Sequence, residues 1–181
     1  MKFWPIAAVA ALILPLAALS QTHQPYAGME TRAIKALSPQ QVSDLKAGRG
    51  MGLAMAAELN GYPGPSHVLE LAGPLGLSDE QKARVAALFE AMKAEAVPLG
   101  EDLIARESAL DGLFAHHNAT PGTIAAATVA IGEAEARLRA AHLRYHLSTL
   151  EILEPAQVRL YAELRGYGSG AAPMQHQHQH R

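Results

Sequence analysis

The sequence predicts an all-α protein built on a long antiparallel helical hairpin with short helices flanking it, and three observations carry this expectation. Apolar residues recur at heptad spacing in two successive stretches, which is the pattern of helices packed along a seam. Aromatic residues make up only 5% of the chain, and much of its apolar content is alanine, a strong helix former, as in long helices packed in a thin layer. Three short segments, each with a leading leucine and a glutamine four residues later, carry the capping chemistry that opens helices.

In chain order, Lys2 precedes an apolar run from Ile6 to Leu19 and then the small residues Ala18 and Ser20. This order reads as a secretory signal peptide over 1–20, cleaved after Ser20, and gives a periplasmic location; a retained membrane anchor is the alternative. The sequence contains no cysteine. Disulfides, thiolate metal sites, a cysteine nucleophile and a lipid-carrying thiol are thereby excluded. Loss of Lys2 with the signal leaves 14 basic against 17 acidic residues, so no nucleic-acid partner is expected.

Residues 21–36 read as a flexible tether, and residues 37–166 as one helical domain. Its first capping segment is Leu37 to Gln41, with Ser38 as N-cap, Pro39 at the first helical position and Gln41 closing the capping box. The helix runs to about Lys46, and Gly48 and Gly50 end it. Met51 to Leu59 and Ser66 to Ala72 suit two further short helices, separated by a turn over 60–65. The segment Leu77 to Gln81 repeats the cap with Ser78, Asp79, Glu80 and Gln81, and opens the longest helix. Along it Phe89, Ala96, Leu103 and Leu110 hold one heptad position, and Val85, Met92, Leu99 and Leu113 the other, with Arg106 the one misfit. Pro98 should kink this helix without ending it, because the register resumes beyond it.

His116 to Ala119 make a turn, and Thr120 with Pro121 restarts the chain as the second arm, with Ile124, Ile131, Leu138 and Tyr145 at seven-residue spacing. The third segment, Leu153 to Gln157, begins a last helix with Pro155 at its first position. Gly166 and Gly168 end it, and residues 167–181 read as a disordered His/Gln tail. Two arms only two helices thick leave apolar stripes uncovered, so a homodimer is expected.

The repeated segments LSPQQ, LSDEQ and LEPAQ in an exported helical chain resemble the LTxxQ motif of the Spy/CpxP superfamily, which includes heavy-metal resistance and sensor proteins of the CnrX and ZraP type. The motif residues are Leu37, Ser38 and Gln41; Leu77, Ser78 and Gln81; and Leu153 with Gln157. The resemblance spans Leu37 to Arg165. It implies an antiparallel dimer of hairpins without catalysis, acting as an ATP-independent chaperone for unfolded envelope proteins or as a metal sensor coupled to a membrane signalling protein. Two departures stand out. Glu154 occupies a position where a hydroxyl residue is usual, and the mildly acidic chain differs from the basic cradle of the chaperone branch, although Arg84, Arg106, Arg137, Arg139 and Arg144 could share one face.

His142 and His146 are four apart, so a helix presents both imidazoles on one side, as metal sites require. With a turn near Asn118, facing residue numbers sum to roughly 238, because both arms rise equally. His142 is then level with Ala96 and His146 with Met92, which brings Glu95 or Met92 within reach of them. Metal-sensor relatives resemble this in combining imidazoles with a thioether or a carboxylate. His67 and Glu70 are outside candidates to complete the set. The heptad count has His142 flanking the seam and His146 pointing outward, and under that reading both are ordinary helix residues. In the tail, His176, His178 and His180 suit weak chelation of nickel, copper or zinc. Met51 and Met55 fit a soft copper site or core packing. Ser66 beside His67 lacks the surroundings of a nucleophile, so no catalytic centre and no organic cofactor are expected. The expected function is periplasmic stress-response binding of divalent metal, unfolded chains or both; a chaperone without metal, or a structural envelope protein, is the alternative.

Overall fold

A computed structural model describes residues 25–167, so the signal segment, Ser20 and the tail histidines lie outside the described residues. The described residues 25–30 belong to a unit of their own, in which a turn is closed by the Met29 amide donating to the Tyr26 carbonyl at 3.0 Å. From Thr31 onward the chain is helical, with six helices among the described residues: α1 Pro39–Lys46, α2 Met55–Glu58, α3 Pro65–Glu70, α4 Asp79–Ala115, α5 Pro121–Leu150 and α6 Pro155–Leu164.

The helix starts follow local chemistry. Ser38 and Ser78 each accept from the amide three residues on, at 3.1 Å, while Gln41 and Gln81 reach back to the cap amides at 2.9 and 3.0 Å. Thr120 and Thr123 do the same for α5. Pro98 lies inside α4 without ending it.

Helices α4 and α5 form the hairpin. Its cross-links, Arg137 to Asp102 at 2.9 Å and Arg144 to Glu95, pair residues within one of the expected sum. Two apolar clusters run along it. One joins Leu45 of α1 to Ala96, Leu103, Ile131, Ala134 and Leu138. The other gathers Val68, Leu75, Leu77, Val85, Ile152, Leu153 and Tyr161 where α3 and α6 meet the open end. Helix α1 approaches α4 so closely that a Cβ on Gly100 would stand 2.5 Å from the Leu45 carbonyl oxygen.

Three expectations are corrected. The stretch Met51–Leu59 is mostly turn, and only α2 is helical, because Met51 and Gly52 adopt positive φ (44° and 84°) that no helix accommodates. The tether is docked at its end: Ile34 is buried, and Lys35 donates to Asp111 through its amide at 3.1 Å and its ammonium at 3.3 Å. The hairpin is also not bare, since α1 and α3 pack against α4 and the segment between them reaches α5.

Candidate functional site

Between the two apolar clusters the hairpin carries Met92 on α4 and His142 and His146 on α5, all buried. The segment from Ala47 to Glu70 folds across them and leaves a cleft of about 780 Å³. Its walls include the imidazoles of His67, His142 and His146, the thioethers of Met51, Met55 and Met92, and the carboxylates of Glu58 and Glu70.

The outward orientation expected for His146 is overturned: only 8% of its surface remains exposed. The turn after α2 covers it, and its Nδ1 lies 2.7 Å from the Tyr62 carbonyl oxygen. A carbonyl only accepts, so Nδ1 carries a hydrogen and donates it to Tyr62. Gly64 gives that edge of the ring its room, because a Cβ there would stand 2.8 Å from Cε1 and 2.9 Å from Nε2.

His142 does more than flank the seam, with 3% of its surface exposed. Its Nε2 is buried without any hydrogen-bond partner. Burial holds its pKa below the ordinary imidazole value, nearby His146 lowers it further, and Glu95 opposes the shift. The ring is therefore neutral near pH 7 and keeps a lone pair to offer.

Glu58 organises the floor of the cleft. Its Oε1 accepts from the Tyr161 hydroxyl, and from Tyr167 at 3.3 Å; His67 Nδ1 lies at 3.2 Å and the Arg165 guanidinium at 3.6 Å. Its Oε2 accepts from the Gly64 amide at 3.3 Å and stands 3.7 Å from His146 Nδ1. This carboxylate ties α2 to α3, α5 and the end of α6. Burial, and then the bond to Glu58, push the Tyr161 hydroxyl far above the ordinary phenol range, so it remains a donor.

Of the residues singled out in the sequence, His142, His146, Met92 and His67 meet at this cleft. Glu95 does not line it: Arg144 holds its carboxylate instead. His67 is engaged with Glu58, and Glu70 accepts from Ser66 at 3.4 Å. No three His, Cys, Asp or Glu side chains among the described residues converge where one ion could sit. His142, His146 and Met92 line the same cleft, two imidazoles and a thioether, which falls short of the usual four ligands of zinc.

The chain matches no known family profile, no characterised protein and no solved structure. The arginines proposed for a basic face are partly neutralised, since Arg106 and Arg137 both bond Asp102 and Arg144 bonds Glu95. Sequence reasoning missed Glu58, Tyr161 and Tyr167. Two tyrosines six apart near the end of an aromatic-poor chain were the available signal.

Proposed function

We propose that this chain is a periplasmic binding protein of the Spy/CpxP type that takes a divalent transition-metal ion, nickel, copper or zinc, into the cleft, with Nε2 of His142 and Nε2 of His146 as ligands. The buried, unpartnered Nε2 of His142 carries the reading. An unsatisfied buried polar atom costs about 1–3 kcal/mol, and a metal ion would satisfy it. The hydrogen bond from His146 Nδ1 to a carbonyl supports it further, because ligating imidazoles are commonly oriented this way by their other nitrogen. Nothing in this role requires catalysis.

The test is titration of the full chain with each metal, followed by calorimetry and melting. The expected result is a saturable site whose occupancy raises the melting temperature, since a ligand that prefers the native state stabilises it. A His142→Ala/His146→Ala variant should lose that rise. An unchanged rise in the double variant would remove the cleft from the metal reading.

A chaperone role is the second reading, and the exposure of Met51, Met55 and Leu59 at the mouth of the cleft favours it. It requires suppression of aggregation of an unrelated denatured protein without ATP. Suppression only with zinc would join the two roles, and none with or without zinc would remove this one.

A further inference from the structure

We infer that the cleft selects copper in its monovalent state, with the thioether of Met92 and one from the pair Met51 and Met55 joining the imidazoles of His142 and His146 as ligands. The inference rests on the reading of the cleft as a metal site and goes beyond it in naming the ion and its sulfur ligands.

Methionine is concentrated here. Three of the six methionines of the sequence line this one cleft, and the chain has no cysteine to supply a softer donor. Met92 is buried on α4, whereas Met51 and Met55 are 43% and 57% exposed. Core packing, the other use open to that pair, is therefore not what they do.

The turn before α2 sets the pair beside the His142 ring. A Cβ on Gly50 would stand 3.5 Å from Nδ1 of His142, so the residue preceding Met51 rests against the imidazole. A Cβ on Gly52 would stand 3.5 Å from Cε of Met55, which puts the methyl of that thioether against the residue following Met51. The Met55 amide closes the turn by donating to the Gly52 carbonyl at 3.0 Å. Met51 itself holds a positive φ of 44°, a left-handed conformation in which a side chain crowds its own backbone. Positions 48, 50 and 52 around it are glycine, yet this strained position carries a thioether.

Charge and ligand type both favour a soft monovalent ion. The carboxylates of the wall are committed, Glu58 to two tyrosine hydroxyls, the Gly64 amide and Arg165, and Glu70 to Ser66. Imidazoles and thioethers bring no negative charge to offset that of an ion. The cost of taking an ion out of water rises with the square of its charge, so a monovalent ion meets roughly a quarter of a dication's penalty. Lys93 lines the same wall, and its repulsion doubles from a monovalent ion to a divalent one. Thioethers are soft ligands that select copper(I), whereas zinc sites draw on thiolate, imidazole and carboxylate. Nε2 of His142, buried and without a hydrogen-bond partner, supplies a nitrogen.

Three full-length proteins are compared under anaerobic conditions: the parent, Met92→Leu and Met51→Leu/Met55→Leu. Leucine matches methionine closely in volume and lacks the sulfur, and circular dichroism checks the fold. Each is titrated with copper(I) in competition with the chelator bicinchoninate, and separately with zinc and nickel, with melting followed throughout. The parent should hold copper(I) more tightly than either divalent ion, and X-ray absorption at the copper edge should show sulfur beside nitrogen. Each methionine variant should lose about tenfold or more in copper(I) affinity while its zinc affinity changes little. The absorption measurement needs only the parent, so it holds even if a variant folds poorly. A parent that prefers zinc or nickel, methionine variants that bind copper(I) as the parent does, or a copper spectrum without sulfur would each overturn the inference. A melting rise with zinc or nickel that His142→Ala/His146→Ala abolishes would then leave the metal reading standing. No melting gain with any ion, copper(I) included, would overturn both.

Discussion

The carboxamides of Gln81 and Gln157 face one another across the open end of the hairpin and exchange two hydrogen bonds, at 2.9 and 3.1 Å. Each closes its own helix start as well, accepting from the Ser78 and Glu154 amides, and Gln81 also donates to the Ile152 carbonyl at 3.0 Å. The glutamines of the second and third repeated segments thus join the start of α4 to the start of α6. Replacing either by alanine removes both bonds of the pair and leaves that helix's cap amide without its side-chain acceptor, at a cost of about 2–3 kcal/mol. The double variant should cost about 1 kcal/mol less than the two losses combined, since the lost bonds are shared. Urea denaturation of the three variants measures this, and strict additivity would mean the pair does not couple.

Two glycines on α4 should respond to alanine in opposite directions. At Gly100 the new Cβ meets the Leu45 backbone oxygen at 2.5 Å, and backbone cannot swing aside. A clash cost of about 1–3 kcal/mol outweighs a helix-propensity gain of about 1 kcal/mol. At Gly112 nothing lies within 4 Å, so only the propensity gain of up to about 1 kcal/mol remains. Thermal melts should separate the two; a stabilising Gly100→Ala would show that α1 does not pack as described.

Removal of the Glu58 side chain should loosen the cleft floor. Glu58→Ala abandons two tyrosine hydroxyls and the Gly64 amide, with an expected loss of about 3–5 kcal/mol. Glu58→Gln keeps the shape and should cost less. Hydrogen exchange in α2 and α3 should accelerate more than in the middle of the hairpin, and uniform acceleration would contradict a local role.

Acid should weaken the fold through His142. Its folded pKa lies below the unfolded value of about 6.5, so the unfolded chain binds more protons in the window beneath that value. The associated stability is fully present above pH 6.5 and drains away as pH falls toward the folded pKa, with a slope of at most about 1.4 kcal/mol per unit. Melting temperatures of the metal-free parent should decline from pH 7.5 to 5, and His142→Phe should flatten the decline. An equally steep decline in the variant would assign the effect elsewhere.

Association is expected as a homodimer. Phe114 near the hairpin tip and Val129 on α5 are both more than half exposed, although each is apolar. Light scattering at micromolar concentration should give twice the chain mass, and Phe114→Glu with Val129→Glu should lower it. A monomeric parent over that range would refute the expectation.

The parts of this fold legible in the sequence are those specified locally. Ser38 with Gln41 and Ser78 with Gln81 mark their helix starts correctly, and heptad spacing places Val85, Met92, Ala96 and Leu103 in the buried stripe of α4. The equal rise of two helices gives the register that the Asp102 to Arg137 bridge obeys. What escapes is the path of Ala47 to Glu70, because turns with positive φ at Gly48, Met51, Gly52 and Gly61 carry no periodic signal of where the chain goes next. His146 departs from the heptad expectation for that reason: the count describes the partner helix and is silent about a turn laid over the other face. Glu58 escaped likewise, since its partners lie in α3, α5 and the end of α6.

The bond between Glu58 and Tyr161 spans 103 positions of sequence. The hairpin, by contrast, closes through neighbours around a short turn, and such contacts form early because little chain entropy is lost in making them. Assembly therefore has an order. The hairpin can stand first as a scaffold, and the cleft can close only once α6 and Tyr167 have docked. A chain halted at Leu150 would keep its seam and lack Tyr161, Arg165 and Tyr167, the partners that hold Glu58, so pulse-labelled hydrogen exchange should find α2 and α3 protected last. The floor of the cleft would then be completed in a single late step, when α6 brings Tyr161 and Tyr167 to Glu58.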